Sequence, residues 1–212
     1  TVTASDADGD NLTYSISGTE IVISSTGVLT FVTAPDYETK SSYTATVTVS
    51  DGTNSDTQDI TVNVTNLNDN IPQITSSATF TANENQTAIG TVTATDQDSG
   101  ATLTYSVSGS ELEFANSSSG VLTFVTAPDY ETKNTYTATV TVSDGTNSDT
   151  QDITVNVTNV NETPTFTSSA TFDDILENQT TVGKVTATDP GGATKSYSIV
   201  GTTNDNSKFS ID

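Results

Sequence analysis

Acidic residues recur along this chain in short motifs with one fixed spacing, and their side chains are the ones best suited to chemistry. The set in the middle of the chain comprises Glu84, Asp96, Asp98, Asp129, Glu131 and Asp144. We expect nearly all of them at strand ends or turns, where side-chain and backbone oxygens can converge. Hard cations such as Ca²⁺ are bound by oxygen atoms of this kind. The motifs therefore predict binding sites for Ca²⁺.

The composition excludes several classes of function. The chain has 27 acidic residues against 5 basic ones, a formal charge of -22, which repels nucleic acid phosphates and attracts divalent cations. It contains no Cys and no His, so it lacks the usual Zn²⁺ ligands and the usual pairs of catalytic nucleophile and base. We therefore expect neither a nucleic acid partner nor an enzyme.

Two other interpretations of the acidic motifs fail on spacing. Residues 6–10 read Asp-Ala-Asp-Gly-Asp, as at the start of an EF-hand loop, but Asn11 stands where that loop requires Gly and Ser17 where it requires Glu. Asp129 and Glu131 are too close together in one turn to flank a sugar as a glycosidase pair does. A third interpretation stays open, in which Asp and Asn populate turns only because of their backbone preferences.

The chain is a tandem repeat. Residues 27–40 recur unchanged at 120–133, and residues 43–66 recur unchanged at 136–159, which gives a period of 93 residues. A third copy is recognised because Asn-Glu-Asn-Gln-Thr at 83–87 returns as Leu-Glu-Asn-Gln-Thr at 176–180. The predicted domains are a partial repeat without its first strand at 1–70, a complete repeat at 71–163 and a partial repeat without its last strands at 164–212.

Alternation of apolar with polar residues predicts strands rather than helices. The residues expected to face inward in the complete repeat include Phe80, Val92, Ala94, Leu103, Tyr105, Val107, Phe114, Leu122, Phe124, Tyr136, Ala138, Val140, Val142, Ile153, Val155 and Val157. Short strands of this kind, separated by Ser-Gly and Asp-Gly turns, are typical of antiparallel sandwiches. The predicted fold is all-β, a tandem of seven-stranded Greek-key sandwiches of the immunoglobulin-like type.

The segments between copies do not resemble flexible tethers. Residues 66–72, here called the first linker, read Asn-Leu-Asn-Asp-Asn-Ile-Pro and contain neither Gly nor Ser. Residues 159–164, the second linker, read Asn-Val-Asn-Glu-Thr-Pro. Amide and carboxylate oxygens are concentrated in the first linker, which favours a role as a strap for a hard cation.

The order of these motifs resembles that of the calcium motifs in cadherin repeats. The resemblance is carried by residues 68–72, the Glu84 turn, and the Asp-Gln-Asp and Asp-Tyr-Glu motifs, and it covers nearly the whole chain. It implies that consecutive repeats share Ca²⁺. At the first junction the implied ligands are Asp36, Glu38, the Leu67 carbonyl, Asn68, Asp69, the Asn70 carbonyl, Asp96, Asp98 and Asp144. At the second they are Glu84, Asp129, Glu131, the Val160 carbonyl, Asn161, Glu162 and Asp189. The equivalent acids elsewhere in the partial repeats are Asp6, Asp8, Asp51 and Glu177.

The second junction departs from the family pattern. Its linker is one residue shorter than the first, and Glu162 replaces the Asp found at position 69. The motif that begins at Asp189 reads Asp-Pro-Gly and has lost its second Asp. We therefore expect fewer ions at the second junction than at the first.

The resemblance implies a calcium-binding array outside the cell or on its surface, with a structural or adhesive role and with repeats stiffened by Ca²⁺. The near-identical copies and the Thr-rich, Lys-poor composition resemble bacterial surface adhesins or biofilm matrix proteins. The expected partners are Ca²⁺ and other adhesin copies, and no apolar run is long enough to insert into a membrane. The alternative is a calcium-dependent carbohydrate-binding module that contacts polysaccharide, with Tyr37 and Tyr130 as the main aromatic residues left for contact.

Overall fold

A computed structural model describes residues 1–173, 175–200 and 210–211. These residues form sixteen strands and no helix, which confirms the prediction of an all-β chain, and they offer no helix able to span a membrane. The strands belong to two compact units. Unit 1 comprises Thr1–Ile74, Ala94–Thr104 and Val142–Asp149, and unit 2 comprises Thr75–Thr93, Tyr105–Thr141 and the described residues from Thr150 onward.

Unit 1 is built around one long hairpin. Its strands are β1 (Thr13–Ile16), β2 (Ile21–Ile23), β3 (Leu29–Phe31), β4 (Ser42–Ser50), β5 (Ser55–Asn63), β6 (Gln73–Ile74) and β9 (Ala94–Thr95). The hairpin of β4 and β5 carries β1 on its other side, whereas β2 pairs with β3 and β6 pairs with β9. The Phe31 and Tyr43 rings meet edge to face with centroids 4.8 Å apart, so β3 packs against β4.

Unit 2 contains a four-stranded sheet and a three-stranded sheet. Its strands are β7 (Thr79–Asn83), β8 (Ala88–Thr91), β10 (Thr104–Val107), β11 (Leu112–Phe114), β12 (Val121–Phe124), β13 (Thr135–Ser143), β14 (Ser148–Thr158), β15 (Thr165–Phe166) and β16 (Ala187–Thr188), and the ends of β10, β13 and β14 fall in unit 1. One sheet has the order β10-β13-β14-β7, a second has the order β11-β12-β8, and β15 pairs with β16. The Phe124 and Tyr136 rings join the two larger sheets at 4.9 Å.

The complete repeat has nine strand segments where seven strands were predicted. The predicted strand at residues 91–94 is divided, because β8 pairs with β12 whereas β9 pairs with β6. The first strand is divided in the same way, since β6 pairs with β9 and β7 then runs parallel to β14 from Thr79 opposite Thr154 to Asn83 opposite Thr158. These segments occupy seven strand positions, and the two divided strands each change partner along their length.

The core of the complete repeat follows the predicted alternation. Leu122, Val140 and Val155 are completely buried, and Phe124 and Val92 are 1% exposed. Burial of such a side chain contributes roughly 1.5–3 kcal/mol relative to exposure. Several predicted inward residues, among them Tyr105 and Phe114, are only half-buried.

Identical sequences have different environments in the two copies. Leu29 and Leu122 occupy the same position of the repeat, yet Leu29 is half-buried and Leu122 is fully buried. Strand β12 has β11 on one side and β8 on the other, whereas β3 pairs with β2 within the part of the chain that the structure describes. Burial at these positions is therefore set by the neighbouring strands.

The acids lie directly after strands or in the turns between them. Asp96 follows β9 directly, and Asp189 follows β16 directly. Asp144 begins the turn between β13 and β14, where Gly145 has a φ of 96°, a conformation that favours Gly. The first linker follows β5, and the second follows β14.

Candidate divalent-cation sites

Two groups of carboxylates lie beside the first linker. Oxygens of Asp96, Asp98 and Asp144 lie within 4.8 Å of one another, and so do oxygens of Glu38, Asp69 and Asp98. Asp98 belongs to both groups and is only 5% exposed. Such a concentration of negative charge with restricted access to water favours binding of a cation.

Asp98 is fixed by the linker. Its Oδ2 accepts a hydrogen bond from the backbone N–H of Asn70 at 2.9 Å, and its Oδ1 accepts one from the Asn70 amide at 2.9 Å. The backbone N–H of Asp98 donates to Oδ1 of Asp96 at 2.8 Å, which orients the second acid of the motif. Hydrogen bonds to a charged carboxylate are stronger than those between neutral groups, so the position of Asp98 is well defined.

Two carboxylate oxygens in these groups are left without partners. Oδ2 of Asp96 and Oε1 of Glu38 are both occluded from water, and neither has a hydrogen-bond partner among the described residues. A buried oxygen of a charged group without a partner is unfavourable. A hard cation would satisfy both oxygens, so the residues present fit Ca²⁺.

Asn68 adds an amide to the same place. Its amide nitrogen is placed to donate to Oδ2 of Asp98 at 3.0 Å and to Oδ2 of Asp144 at 3.1 Å, while its oxygen accepts a hydrogen bond from the hydroxyl of Thr146 at 3.1 Å. Asn68 therefore links carboxylates of both motifs to the linker.

Asp144 is held by its own turn. Its Oδ1 accepts hydrogen bonds from the backbone N–H groups of Thr146 and Asn147, each at 2.6 Å. These bonds, with that from Asn147 the largest contribution, hold the pKa of Asp144 below its ordinary value of 3.8. Asn147 also donates from its side chain to the carbonyl of Asn70 at 3.0 Å. The turn therefore fixes both a carboxylate and the linker.

In each Asp-Tyr-Glu motif, the Asp and the Glu make different contacts. Asp36 accepts hydrogen bonds from the hydroxyl and backbone of Thr39, which lower its pKa. Asp129 does the same with Thr132, and neither Asp belongs to a carboxylate group of the described residues. Burial raises the pKa of Glu38, and the charges of Asp98 and Asp36 raise it further. The Asp shapes the turn, and the Glu points toward the other carboxylates.

A third carboxylate group lies beside the second linker and consists of Glu84, Glu131 and Glu162, again within 4.8 Å. Glu84 is 2% exposed and accepts hydrogen bonds from the backbone N–H groups of Val160 at 2.7 Å and Tyr130 at 2.9 Å. Burial raises the pKa of Glu131, as do the charges of Glu84 and Glu162. The group therefore also concentrates negative charge.

Asparagine side chains that the sequence analysis did not select support this third group. Asn159 donates to Oε1 of Glu131 at 2.6 Å, and Asn85 donates to Oε1 of Glu162 at 2.9 Å. Asn85 has a φ of 63°, which Asn tolerates better than most residues. Asn147 was missed as well. Each of these three lies within three residues of a predicted ligand, and that proximity was the available signal.

Other predicted ligands lie outside the three groups. Asp6 accepts hydrogen bonds from the backbone of Asp8 and Asp10, and Asp51 accepts them from Thr53 and Asn54, which lowers its pKa. Asp189 accepts one from the backbone of Ala193. Members of the predicted set outside the three groups are Asp6, Asp8, Asp36, Asp51, Asp129, Glu177 and Asp189. The side chains of Leu67, Val160 and Asn161 are exposed, and the prediction for the first two concerned their carbonyls.

A family model and several known proteins match parts of this chain. Residues 76–158 match the model described as Cadherin domain. Cadherin EGF LAG seven-pass G-type receptor 2 of Mus musculus is 34% identical over 212 residues, which covers 89% of this chain and 7% of the receptor. Chitinase A of Pseudoalteromonas piscicida is 38% identical over 159 residues, which covers 73% of this chain and 19% of that protein.

Solved structures show the same fold. The crystal structure of human CDH23 EC21-23 superposes with a TM-score of 0.67 at 22% identity, covering 89% of this chain and 77% of that chain. This likeness confirms the predicted immunoglobulin-like sandwiches. The chain spans 7% and 19% of the lengths of the two curated relatives, so the activities of those whole proteins are not thereby activities of this chain.

Proposed function

Because this chain belongs to the cadherin-domain family, we propose that it is a calcium-binding segment with a structural and adhesive role outside the cell. Its linkers would bind Ca²⁺ and become stiffer when they do. The domain limits proposed with this function are 1–70, 71–163 and 164–212. The proposed partners are Ca²⁺ and other copies of the same adhesin.

The proposal rests on one observation. Two carboxylate groups lie beside the first linker, and they share Asp98. They include occluded oxygens of Asp96 and Glu38 that have no partner among the described residues. Like charges at this spacing repel in a partly buried site, and a divalent cation supplies the charge that offsets them.

The residues that would hold the ions come from three parts of the first junction. Glu38 comes from the repeat before the linker, Asn68 and Asp69 come from the linker, and Asp96, Asp98 and Asp144 come from the repeat after it. A cation bound by all three parts restricts the torsions of the linker. Extracellular calcium modules bind at about 10⁻⁴ to 10⁻³ M, which favours a location outside the cell.

The relation to bacterial surface or matrix proteins is part of the proposal. It rests on the unchanged recurrence of residues 43–66 at 136–159 and on the Thr-rich composition. Such uniform repeats suit a long spacer, because each copy contributes the same length and the same junction chemistry.

The carbohydrate-binding alternative gains no support from the aromatic residues on which it relied. Tyr37 and Tyr130 are half-buried in the acidic turns, whereas a sugar platform needs an exposed ring face. The match to Chitinase A concerns a fifth of that protein, and we propose no enzymatic activity for this chain.

Thermal unfolding with and without calcium tests the proposal. We expect about 1 mM Ca²⁺ to raise the melting temperature, and EGTA to reverse the rise, because ions that bind only the folded chain stabilise it. The control is the variant Glu113→Gln, which removes an exposed charge on β11 and should show the same calcium effect as the unmodified chain. A melting temperature that calcium leaves unchanged would contradict the proposed function.

A further inference from the structure

Strand β1 (Thr13–Ile16) has backbone groups that no other strand of unit 1 uses. It is an outermost strand of the sheet β1-β4-β5. The backbone N–H of Ser17 donates to the carbonyl of Thr46 at 2.9 Å, which continues the ladder between β1 and β4. Because hydrogen-bonded pairs alternate along an antiparallel ladder, the N–H and C=O groups of Tyr14 and Ile16 point away from β4. Among the described residues, no backbone group is bonded to them from that side.

This edge is a property of the repeat itself. The sequence Thr-Tyr-Ser of β1 returns in β10 (Thr104–Val107), its counterpart in the complete repeat. Strand β10 is again outermost, in the sheet of order β10-β13-β14-β7. No strand of the described chain pairs with the outer side of β10. The same position is therefore an edge of the sandwich in both copies.

In the complete repeat, a loop covers this edge. Residues 115–119 follow β11, and the carbonyl of Ser117 in this loop accepts a hydrogen bond from the backbone N–H of Tyr105 at 2.7 Å. The bond occupies one of the groups of β10 that point away from β13. Covering an edge with a loop is one of the ways in which proteins prevent edge-to-edge association. Strand β10 is therefore protected.

The corresponding loop of the first repeat leaves β1 uncovered. It comprises residues 24–26 and is two residues shorter than the loop after β11. The hydroxyl of Ser24 accepts hydrogen bonds from the backbone N–H groups of Thr26 and Val28, at 3.2 and 3.1 Å, which close the turn on itself. In the described part of the chain, no backbone hydrogen bond joins this turn to β1. Residues 11–18 also contain neither Pro nor a charged side chain, two other common protections of an edge.

The free groups of β1 are complementary to those of a second β1. When two such strands run antiparallel with Ser15 opposite the partner's Ser15, each Tyr14 lies opposite the partner's Ile16. Each of these two pairs then exchanges two N–H···O bonds, so every free backbone group of Tyr14 and Ile16 gains a partner. A pair of an aromatic and a β-branched side chain is also favourable across antiparallel strands. The best match to this edge is therefore the same edge of another copy.

We propose that β1 is a self-association site, through which two copies of this chain pair edge to edge about a two-fold axis at Ser15. The sheets β1-β4-β5 of the two copies then form one continuous sheet. The inference rests on the part of the proposed function that names other copies as partners, and it assigns that partnership to one strand. Because each chain has a formal charge of -22, added salt strengthens the association by screening the repulsion between copies.

A disulfide cross-link tests both the site and its register. The chain has no Cys, so Ser15→Cys introduces one thiol per chain, at an exposed position on the proposed axis. Residues opposite each other in a non-hydrogen-bonded pair have Cα atoms about 4.5 Å apart, which a disulfide can span. We expect mild oxidation to convert Ser15→Cys into a covalent dimer. The matched control is Ser106→Cys on β10, which should give several-fold less dimer because Ser117 covers that edge.

Sedimentation velocity over a series of chain concentrations measures the reversible association. Ser15→Lys places like charges opposite each other and should raise the dissociation constant of the dimer by about fivefold, even though it lowers the net negative charge. Ser106→Lys makes the same change of charge on β10 and should leave the dissociation constant unchanged. Replacing residues 24–26 by the sequence of residues 115–119 should abolish the dimer, because the longer loop covers β1. Circular dichroism confirms that each variant is folded.

The outcomes separate the inference from the function on which it rests. Equal cross-linking of Ser15→Cys and Ser106→Cys, or a dimer that Ser15→Lys leaves unchanged, would overturn β1 as the site while leaving other copies as partners. A chain that stays monomeric at every concentration and forms no cross-linked dimer would overturn the inference and that partnership together. The effect of calcium on the melting temperature would still decide the calcium-binding part of the proposed function. If Ser15→Lys fails to fold, the cross-link and the loop replacement decide the question.

Discussion

Asp98 and Asn70 are joined by two hydrogen bonds of 2.9 Å, one from the backbone N–H and one from the side-chain amide of Asn70. This contact fastens the first linker to the loop that carries the most buried carboxylate of the junction. Because Asp98 belongs to both carboxylate groups beside that linker, we expect calcium binding at the first junction to depend on it most.

Asp98→Asn removes the shared charge and keeps the size of the side chain. We expect affinity for Ca²⁺ at the first junction to fall by about tenfold or more, and most of the calcium-induced rise in melting temperature to be lost. Isothermal titration calorimetry and thermal unfolding measure the two effects. Glu113→Gln removes a charge from the exposed surface of β11 and should leave both unchanged, so an equal loss in the two variants would point to net charge alone.

The stability of the calcium-free chain should depend on pH through Glu38 and Glu131. Burial and neighbouring carboxylates raise the pKa of both groups above the ordinary value of 4.5. A carboxyl group with a higher pKa in the folded state takes up protons on folding, so its contribution to the free energy of unfolding is fully present below 4.5 and is lost as pH rises through the raised pKa. We expect calcium-free stability to increase as pH falls from neutral toward 4.5.

Urea unfolding in EGTA across this pH range measures the effect, and the double variant Glu38→Gln, Glu131→Gln should show a smaller increase. The lowered pKa values of Asp36, Asp129 and Asp144 act in the opposite sense and at lower pH, since their contribution is lost as pH falls below 3.8 through the lowered values. If stability in EGTA falls steadily as the pH is lowered from 7, charge repulsion at Glu38 and Glu131 does not govern the pH dependence of the calcium-free chain.

The matched leucines Leu29 and Leu122 should respond differently to the same substitution. Leu122→Ala empties a fully buried position between β11 and β8 and should cost about 3 kcal/mol in the free energy of unfolding. Leu29→Ala affects a half-buried position and should cost about 1–2 kcal/mol. Urea denaturation of both variants tests this, and equal costs would mean that the two copies have equally complete cores.

Gly120 is required by a close backbone contact. It has a φ of 64°, and a Cβ at that position would lie 2.2 Å from the carbonyl oxygen of Val92, while the backbone N–H of Val92 donates a hydrogen bond to the Gly120 carbonyl. Gly120→Ala should therefore lower the free energy of unfolding by about 2 kcal/mol or more. Gly109 also has a positive φ but open surroundings, and Gly109→Ala should cost about 1–2 kcal/mol. Urea denaturation of the two variants measures the difference, and equal costs would show that the contact with Val92 is not what requires Gly at position 120.

The sequence was sufficient to predict the strands and most of the core, because alternation with period two reports which face of a strand is buried. It predicted Leu122, Val140 and Ile153 correctly as core residues. It did not predict that the strand at 91–94 divides, because β12 and β6, with which its two parts pair, are remote from it in the sequence. Alternation within a strand carries no information about the strand's partners.

The sequence predicted which acidic residues are candidates for the sites, but it did not predict which of them lie close together. The motifs identified the acids, but Asp36 and Asp129 prove to form hydrogen bonds within their own turns, whereas Glu38 and Glu131 face the other carboxylates. The contact of Asn85 with Glu162 joins residues 77 positions apart, and no local spacing signals it. The assignment of all these residues as metal ligands stays a prediction.

The central claim is that calcium binds where the first linker meets Asp96, Asp98 and Asp144. A crystal grown in calcium, with anomalous scattering recorded at long wavelength, tests it most directly. We predict anomalous peaks within about 2.3–2.6 Å of carboxylate oxygens of Asp98 and Asp69. Ordered water alone at those positions, with no anomalous signal in the presence of abundant calcium, would contradict the account.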